Sequence, residues 1–362
     1  MTAALTITQV GDIQEIANRL AQHSRGVDRA DETLLADCYH DDASVDYGFY
    51  AGPAGAFATI LTDAQKAGPV TLHRTGQMWI RISGEKARSE SYVIAYVQAP
   101  EADGAMKQRL VCGRYLDRHA KRDGSWRLDH RTYVLDTNVN WPGEHVAGGL
   151  NSLAHHVPAG GHGPADPGIA LLALAAAKGR AETGDTSMNM ADMYTREAAD
   201  AVISRQQIAD LTMAYCRGVD RADEALLASI FHSDSTVVSG AYNGNGQGFA
   251  SEICQIVRTA FAQTFHSIAN QWIDVTGDAA VGETYVIAIA TTADGASQIL
   301  TGGRYIDRFE RREGRWKFAE RTFVSDWSRV EPATEQIGEG IYAALTLRGK
   351  RDPQDPVYAL WK

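Results

Sequence analysis

The chain contains two copies of one octapeptide. Arg-Gly-Val-Asp-Arg-Ala-Asp-Glu occupies residues 25–32 and again residues 217–224, an offset of 192 (217 − 25). Other segments recur at nearly the same offset, for example Gly-Arg-Tyr at residues 113–115 and 303–305. Repetition at a constant offset indicates that one structural unit occurs twice. The sequence therefore predicts two homologous domains in tandem.

The matched segments divide the 362 residues into four parts. They are a first domain, a linker, a second domain and a C-terminal tail, at residues 1–141, 142–201, 202–330 and 331–362. The linker begins rich in Gly, Pro and His, a composition typical of flexible connections, and an Ala/Leu-rich stretch at 169–178 is expected to form a short helix. The aromatic residues Tyr358 and Trp361 predict that the tail docks on a domain.

Within each repeat, helical patterns come before strand patterns. Apolar residues at helical spacing, such as Ile13, Ile16 and Leu20, predict a first helix. Asp28 is expected to be the N-cap of a second helix, and a third is expected near residues 54–65. Alternating apolar residues then predict strands at 44–49, 72–82, 86–98, 107–118 and 125–136. The order indicates an α+β fold, with three helices on one face of a curved antiparallel sheet.

The composition is that of an acidic globular protein. The net charge is −10, and 44% of the residues are hydrophobic. A protein with a net negative charge is not expected to present a basic surface for nucleic acid or an anionic membrane, so neither is expected as a partner. The N-terminus lacks the basic and apolar regions of a signal peptide, and we expect a cytoplasmic protein.

The four cysteines occupy positions that have no cysteine counterpart in the other repeat: Cys38, Cys112, Cys216 and Cys254. A disulfide framework would repeat with the fold, so free thiols in a reducing compartment are expected. The linker histidines His155, His156 and His162 could in principle hold a metal. Flexible histidine-rich loops lack the rigid surroundings that orient metal ligands, and no metal is predicted.

Three motifs resemble the SnoaL-like group of the nuclear-transport-factor-2-like superfamily. They are the Gly-Val-Asp turn after the first helix, the Thr-x-His entry to a strand, and the Tyr-x-Asp…Arg-Asp-Gly-x-Trp hairpin. In these motifs the chain is similar to the hexachlorocyclohexane dehydrochlorinases, and the scytalone dehydratases share the layout. The resemblance covers both repeats but neither linker nor tail. It implies two tandem cone-shaped α+β barrels, each with a deep apolar pocket.

The resemblance also implies a catalytic set in each domain. In the dehydrochlorinase pattern an aspartate orients a histidine, the histidine removes a proton, and an arginine assists the leaving group. These positions are Asp28, His73 and Arg131 in the first domain and Asp220, His266 and Arg321 in the second. A neutral imidazole suits general-base work near neutral pH, and arginine supplies a fixed positive charge. This chemistry requires no metal or organic cofactor.

Each of these residues also has a structural interpretation. Asp28 would serve equally as a helix cap, His73 as a core histidine, and Arg131 as an ion-pair partner of Asp129 or of a helix carboxylate. Aromatic and polar residues beside the histidine strands are expected to line the pockets. They are Tyr47, Tyr50, Trp79 and Tyr92 in the first domain, and Tyr242, Asn270 and Tyr285 in the second.

These residues favour a cofactor-independent lyase acting on a small hydrophobic molecule. Dehydration, dehydrohalogenation and a retro-aldol or deformylating cleavage all suit them, and the substrate is expected to be aromatic, for example lignin-derived. An isomerase or polyketide-type cyclase is the alternative enzyme class, and a non-catalytic small-molecule-binding module is the non-enzymatic one. The two domains are expected to pair as an intrachain pseudo-dimer, and further association into a homo-oligomer is left open.

Overall fold

The structure, a computed structural model, describes residues 5–69, 71–101, 103–143, 161–166 and 196–362. The predicted linker helix at 169–178 lies outside the described residues, as do His155 and His156. His162 lies within them. Within the described parts, no helix is both long and apolar enough to cross a membrane.

The first domain contains three helices and six strands. Helices α1 to α3 span Ile7–Asp28, Glu32–Asp37 and Ala54–Ala67. Strands β1 to β6 span Tyr39–Asp46, Ala51–Pro53, Leu72–Ser83, Lys86–Pro100, Met106–Arg122 and Ser125–Pro142. The four long strands agree with the predicted ones and extend beyond them.

The second domain repeats this order. Helices α4 to α6 span Arg196–Asp220, Glu224–Ile230 and Gly246–Ala260. Strands β7 to β12 span Phe231–Val238, Asn243–Asn245, Phe261–Thr276, Ala279–Thr292, Ser297–Arg312 and Arg315–Pro332. The tail adds a 3₁₀ turn at Gly340–Tyr342 and the short helix α7 at Pro356–Leu360.

Each domain has one six-stranded sheet. The strand orders are β2-β1-β6-β5-β4-β3 and β8-β7-β12-β11-β10-β9. The sheets are mixed rather than wholly antiparallel, because β1 pairs in parallel with β6, and β7 with β12. Side-chain alternation gives no information about pairing direction, and a long crossover rather than a hairpin joins these strands. The α+β prediction is otherwise confirmed, twice over.

The octapeptide has a different local structure from the predicted one. Helix α1 continues to Asp28, so this aspartate ends the first helix and does not cap the second. The chain then turns at Ala30, whose φ is 50°. Asp31 is the N-cap of α2. The second copy is the same, with Ala222 at a φ of 50° and Asp223 as the cap. Asp28 is therefore freed from capping.

The tail packs against the first domain, as predicted. Arg348 forms an isolated parallel bridge with Leu135 of β6. Tyr342 is fully buried and donates a hydrogen bond to Asn140. At the end of the chain, Trp361 lies 5.7 Å from Trp79, centroid to centroid. These contacts follow from the tail's aromatic residues, which would be costly to leave in water.

A buried ion cluster joins the two domains. Arg114 of β5 bonds Glu90, Asp136 and, from the tail, Asp355, all at 2.8–3.1 Å. The second octapeptide completes the cluster with Arg217 on Glu90 and Arg221 on Asp136 and Asp355, at 2.8 to 3.0 Å. Three carboxylates and three guanidinium groups thus neutralise one another away from water.

Acid is expected to destabilise the protein through His119 of β5. This histidine is buried beside Ser89, and burial lowers its pKa from 6.5 to about 4. Between these values the unfolded chain binds a proton that the folded chain does not, so the free energy of unfolding falls as pH decreases through that window. His119→Gln should flatten this part of the profile, measured by urea unfolding across it. The difference in the free energy of unfolding between the two proteins at neutral pH gives the effect of the substitution on packing and is subtracted. Parallel pH profiles of the wild type and the variant would show the prediction to be wrong.

Candidate active sites

The structure brings Asp28 and His73 together. Asp28 is the last residue of α1 and His73 the second of β3. Asp28 Oδ1 lies 2.6 Å from His73 Nδ1, and its Oδ2 accepts the His73 backbone N–H at 2.8 Å. Thr71 donates a third hydrogen bond to the carboxylate at 2.8 Å. A carboxylate only accepts, so Nδ1 carries the proton and Nε2 is the free base.

His73 lines an apolar cavity of about 160 Å³ inside the first cone. Valines, alanine and leucine form much of its wall. The other residues with polar groups on the wall are His23, Tyr47, Gln65, Tyr115 and Tyr133. A cavity of roughly 150 Å³ holds a molecule the size of benzene. The cavity therefore places the His73 imidazole beside a space for one ring.

His23 is a cavity residue that the sequence did not reveal. It lies in the apolar stripe of α1, where a histidine is indistinguishable from a core residue. It is buried, and its Nε2 lies 2.8 Å from the Tyr39 hydroxyl. Burial, followed by the positive charge of Arg131, holds its pKa well below 6.5. His23 is therefore a neutral hydrogen-bonding group on the cavity wall.

Arg131 lies behind the cavity wall rather than on it. Its guanidinium forms two hydrogen bonds with Asp117, both 2.8 Å, and stacks 3.9 Å from the Tyr115 ring. It is 1% exposed and is not among the lining residues. The suggested pairing with Asp129 is therefore wrong, and the partner lies on the adjacent strand. Burial raises the pKa of Tyr47, and the positive charge of Arg131 lowers it. Arg131 therefore acts electrostatically on a residue of the cavity wall.

One of the four predicted lining residues of the first domain faces the cavity. Tyr47 lines it, and its buried hydroxyl has no hydrogen-bond partner among the described residues. Tyr50 instead stacks on Phe57 at 5.3 Å. Trp79 and Tyr92 point to the opposite face of the sheet, into the domain interface. Strand alternation explains this correction, because it is Val93, the neighbour of Tyr92, that lines the cavity.

The second domain reproduces the polar pairs. Asp220 Oδ1 lies 2.6 Å from His266 Nδ1, and its Oδ2 accepts the His266 backbone N–H at 2.9 Å. Burial opposes the charged form of Asp220, but the charge and hydrogen bonds of His266 keep its pKa below the usual range. Arg321 forms two hydrogen bonds with Asp307, at 2.8 and 2.7 Å, as Arg131 does with Asp117.

The surroundings of the second pair differ from those of the first. Tyr215 stands where the first domain has His23, and it stacks on Phe249 at 5.7 Å and contacts Tyr305 at 5.3 Å. Arg351 of the tail hydrogen-bonds Thr264, the counterpart of Thr71. Tyr215 thus places a phenol ring where the first domain has His23, and a tail arginine contacts the counterpart of Thr71.

Two of the three predicted lining residues of the second domain lie outside its interior, and the third is partly buried against its core. Asn270 is exposed, and Tyr285 is 49% exposed on the outer face of β10. Tyr242 packs edge-on against Phe249 at 6.1 Å from a loop that is partly exposed. The prediction placed these side chains inside the cone because the sequence does not show which face of each strand turns inward.

The fold and the two Asp–His pairs define the class of protein. Each domain is a cone of three helices on a mixed sheet, with an aspartate at the end of the first helix that fixes a histidine on the third strand. The family model described as "SnoaL-like domain" matches residues 8–132 and 200–322. The chain belongs to the SnoaL-like family and carries its domain twice.

Relatives of known name match one domain's length of this chain. The gamma-hexachlorocyclohexane dehydrochlorinase of Sphingobium indicum is 29% identical over 132 residues, which are 35% of this chain and 84% of that protein. The crystal structure of a hexachlorocyclohexane dehydrochlorinase of type 2 is 27% identical, with a TM-score of 0.34, over 36% of this chain and 89% of that one. A putative scytalone dehydratase from Novosphingobium aromaticivorans is 23% identical, with a TM-score of 0.33, over 38% and 96%.

Proposed function

We propose that the first domain is a cofactor-independent lyase that acts on a hydrophobic molecule of about one ring. The observation that carries the proposal is the fixed His73, whose Nδ1 is held by Asp28 at 2.6 Å while the imidazole lines an apolar cavity. The naming of related proteins as dehydrochlorinase and dehydratase supports an elimination. Halides, alcohols and hydroxyketones of that size are the candidate substrates.

The elimination uses His73 as the base. Its Nε2 takes the proton from a substrate C–H bond, and the electron pair of that bond becomes the second bond of a new C=C. The leaving group departs from the adjacent carbon with its own bonding pair. Asp28 stabilises the imidazolium that forms, because its carboxylate stays charged beside Nδ1. The proton then passes to water when the product leaves.

We assign to Tyr47 the role of donating a hydrogen bond to the leaving atom. Tyr47 lines the cavity, its buried hydroxyl has no hydrogen-bond partner among the described residues, and a buried polar atom in that state is a site for a ligand hydrogen bond. Arg131 stands behind it and favours negative charge in this part of the wall. In this arrangement Arg131 acts through Tyr47 and is a positioning residue.

An isomerase is the second candidate, and His23 is the observation that favours it. A neutral imidazole on the same cavity as His73 is suited to hydrogen-bond a substrate carbonyl and stabilise the enolate, while His73 returns the proton it removed to a different carbon. The two reactions differ in their products. Elimination releases water, halide or a carbon fragment, whereas isomerisation conserves the mass of the substrate.

His73→Ala is expected to lower turnover by about 10²–10⁴-fold, the usual contribution of a general base. His266→Ala is the matched control, and we expect it to retain most activity because Tyr215 stands beside the second pair where the first cavity has His23. A panel of one-ring halides, alcohols and hydroxyketones is followed by mass spectrometry. Full activity of the His73→Ala variant would overturn the mechanism, and binding without turnover by the wild type would support a binding module.

A further inference from the structure

The outer face of the second sheet is exposed, although the same face of the first sheet is buried. Trp272, Tyr285 and Ile306 are 60%, 49% and 41% exposed. The residues at the same strand register of the first sheet are 6%, 0% and 4% exposed: Trp79, Tyr92 and Leu116. Exposed apolar surface of this extent marks a site of protein contact.

The first sheet is covered by the end of helix α4. Arg217 bonds Glu90 at 2.8 Å and lies 3.9 Å above the Trp79 ring. One turn further along, Arg221 bonds Asp136 at 3.0 Å. Both arginines belong to the second octapeptide. In the interface within the chain, two arginines of the second octapeptide therefore pair with carboxylates on the outer face of the first sheet.

The second sheet presents the same carboxylates. Arg304 bonds Asp326 at 2.9 Å and Glu283 at 3.0 Å, as Arg114 bonds its two carboxylates on the first sheet. Two carboxylates with one guanidinium leave a net charge of −1 (−2 + 1). Within the described residues, Glu283 and Asp326 have no cation other than Arg304. We call these three residues, together with Trp272, Tyr285 and Ile306, the second-sheet face.

The first octapeptide carries the cations that would complement this face. Arg25 and Arg29 stand at the end of α1, in the positions that Arg217 and Arg221 occupy at the end of α4. The Arg25 side chain has no ion pair or hydrogen bond to another described residue. Arg29 is 17% exposed and bonds Asp166 at 3.0 Å, as Arg221 bonds Asp355.

The pairing of Arg29 with Asp166 extends the internal repeat into the linker. Asp166 lies in Pro-Ala-Asp-Pro at residues 164–167, and Asp355 lies in Pro-Gln-Asp-Pro at residues 353–356. In the second copy this aspartate also bonds Arg114 across the domain interface, at 2.8 Å. The end of α1 therefore repeats the arginines of the α4 end and the aspartate that accompanies them.

We propose that the second-sheet face binds the end of α1 of a second copy of this chain. Arg25 meets Glu283 and Trp272 of that copy, and Arg29 meets Asp326. The contact repeats the intrachain interface between chains. It is heterologous, since the cations come from a first domain and the face from a second, so each chain carries both halves of the contact and association proceeds head to tail.

The test measures the mass of the full-length protein by light scattering and sedimentation over a range of concentration and salt. Ile306→Lys places a charge at the centre of the second-sheet face. Ile60→Lys is its matched control, since Ile60 is 44% exposed on α3, outside the face. Glu283→Arg and Arg25→Glu each reverse one side of the expected ion pair, and the double variant restores its complementarity. Circular dichroism confirms that every variant is folded.

The wild type and Ile60→Lys are expected to associate, and Ile306→Lys is expected to stay a single chain. Each charge reversal should weaken association by at least tenfold, and the double variant should recover it. A wild type that remains one chain at every concentration overturns the proposal, as does association that Ile306→Lys leaves unchanged. Failure of the double variant to recover association excludes the α1 end as the occupant and indicates face-to-face pairing instead.

Discussion

Asp28→Asn is expected to lower kcat by about 10⁴-fold while KM changes little, the loss found when an aspartate that orients a catalytic histidine becomes an amide. Three donors converge on the Asp28 carboxylate: the His73 ring N–H, the His73 backbone N–H and the Thr71 hydroxyl. An asparagine offers one oxygen and one NH₂ to the same three donors. The NH₂ of the asparagine must therefore face one of these three donors, and the donor that can change its protonation in response is His73 Nδ1.

An NH₂ group facing Nδ1 moves the imidazole proton to Nε2, so the nitrogen beside the cavity no longer accepts a proton. The amide also carries no charge to stabilise the imidazolium. Asp220→Asn makes the same change in the second domain, where Asp220 holds His266 at 2.6 Å, and we expect it to reduce kcat slightly. Steady-state kinetics on an identified substrate compares the two. Equal losses would mean that both domains turn over substrate, and no loss in Asp28→Asn would exclude the orienting role.

The octapeptide shows what the sequence could and could not predict. Its repetition indicated two like domains, and the resemblance of its aspartate to a known motif led to the pairing with a histidine 45 residues away. The sequence did not indicate the role of its glycine, Gly26. A Cβ on Gly26 would lie 3.0 Å from the backbone nitrogen of Leu35, so close packing of α1 on α2 favours glycine there. The capping role belongs to Asp31 because α1 continues through Asp28 and the turn at Ala30 moves the start of α2 to Glu32.

The same eight residues also meet two different environments. Arg221 is fully buried in the ion cluster, whereas Arg29 is partly exposed beside Asp166. The octapeptide sequence does not show which of its two copies is buried, because the residues that pack over it are distant in the chain. The same limit applies to the cavity, to which the tail residue Leu345 contributes. It applies as well to Tyr92, whose direction depends on the register of its strand.

The buried ion cluster leads to the largest expected effect on stability. Arg114→Met is expected to lower the free energy of unfolding by roughly 3–5 kcal/mol, because it leaves one of three buried carboxylates uncompensated. Arg114 is 0% exposed, and its bonds to Asp136 and Asp355 hold tail, sheet and α4 together. The pKa of Asp355, which Arg114 and Arg221 keep well below its usual range against the effect of burial, should rise in the variant.

Arg304→Met is the matched control at the same position of the second sheet. Arg304 makes the same pair of bonds, but its side chain and that of Asp326 are 31% and 40% exposed, so water replaces the lost contacts. Urea unfolding in dilute solution, where chains are separate, should show a large loss for Arg114→Met and little change for Arg304→Met. Equal losses would mean that burial by α4 and the tail does not determine the contribution of the cluster. A loss confined to Arg114→Met would mean that the ion cluster stabilises the chain because the second domain and the tail exclude water from it.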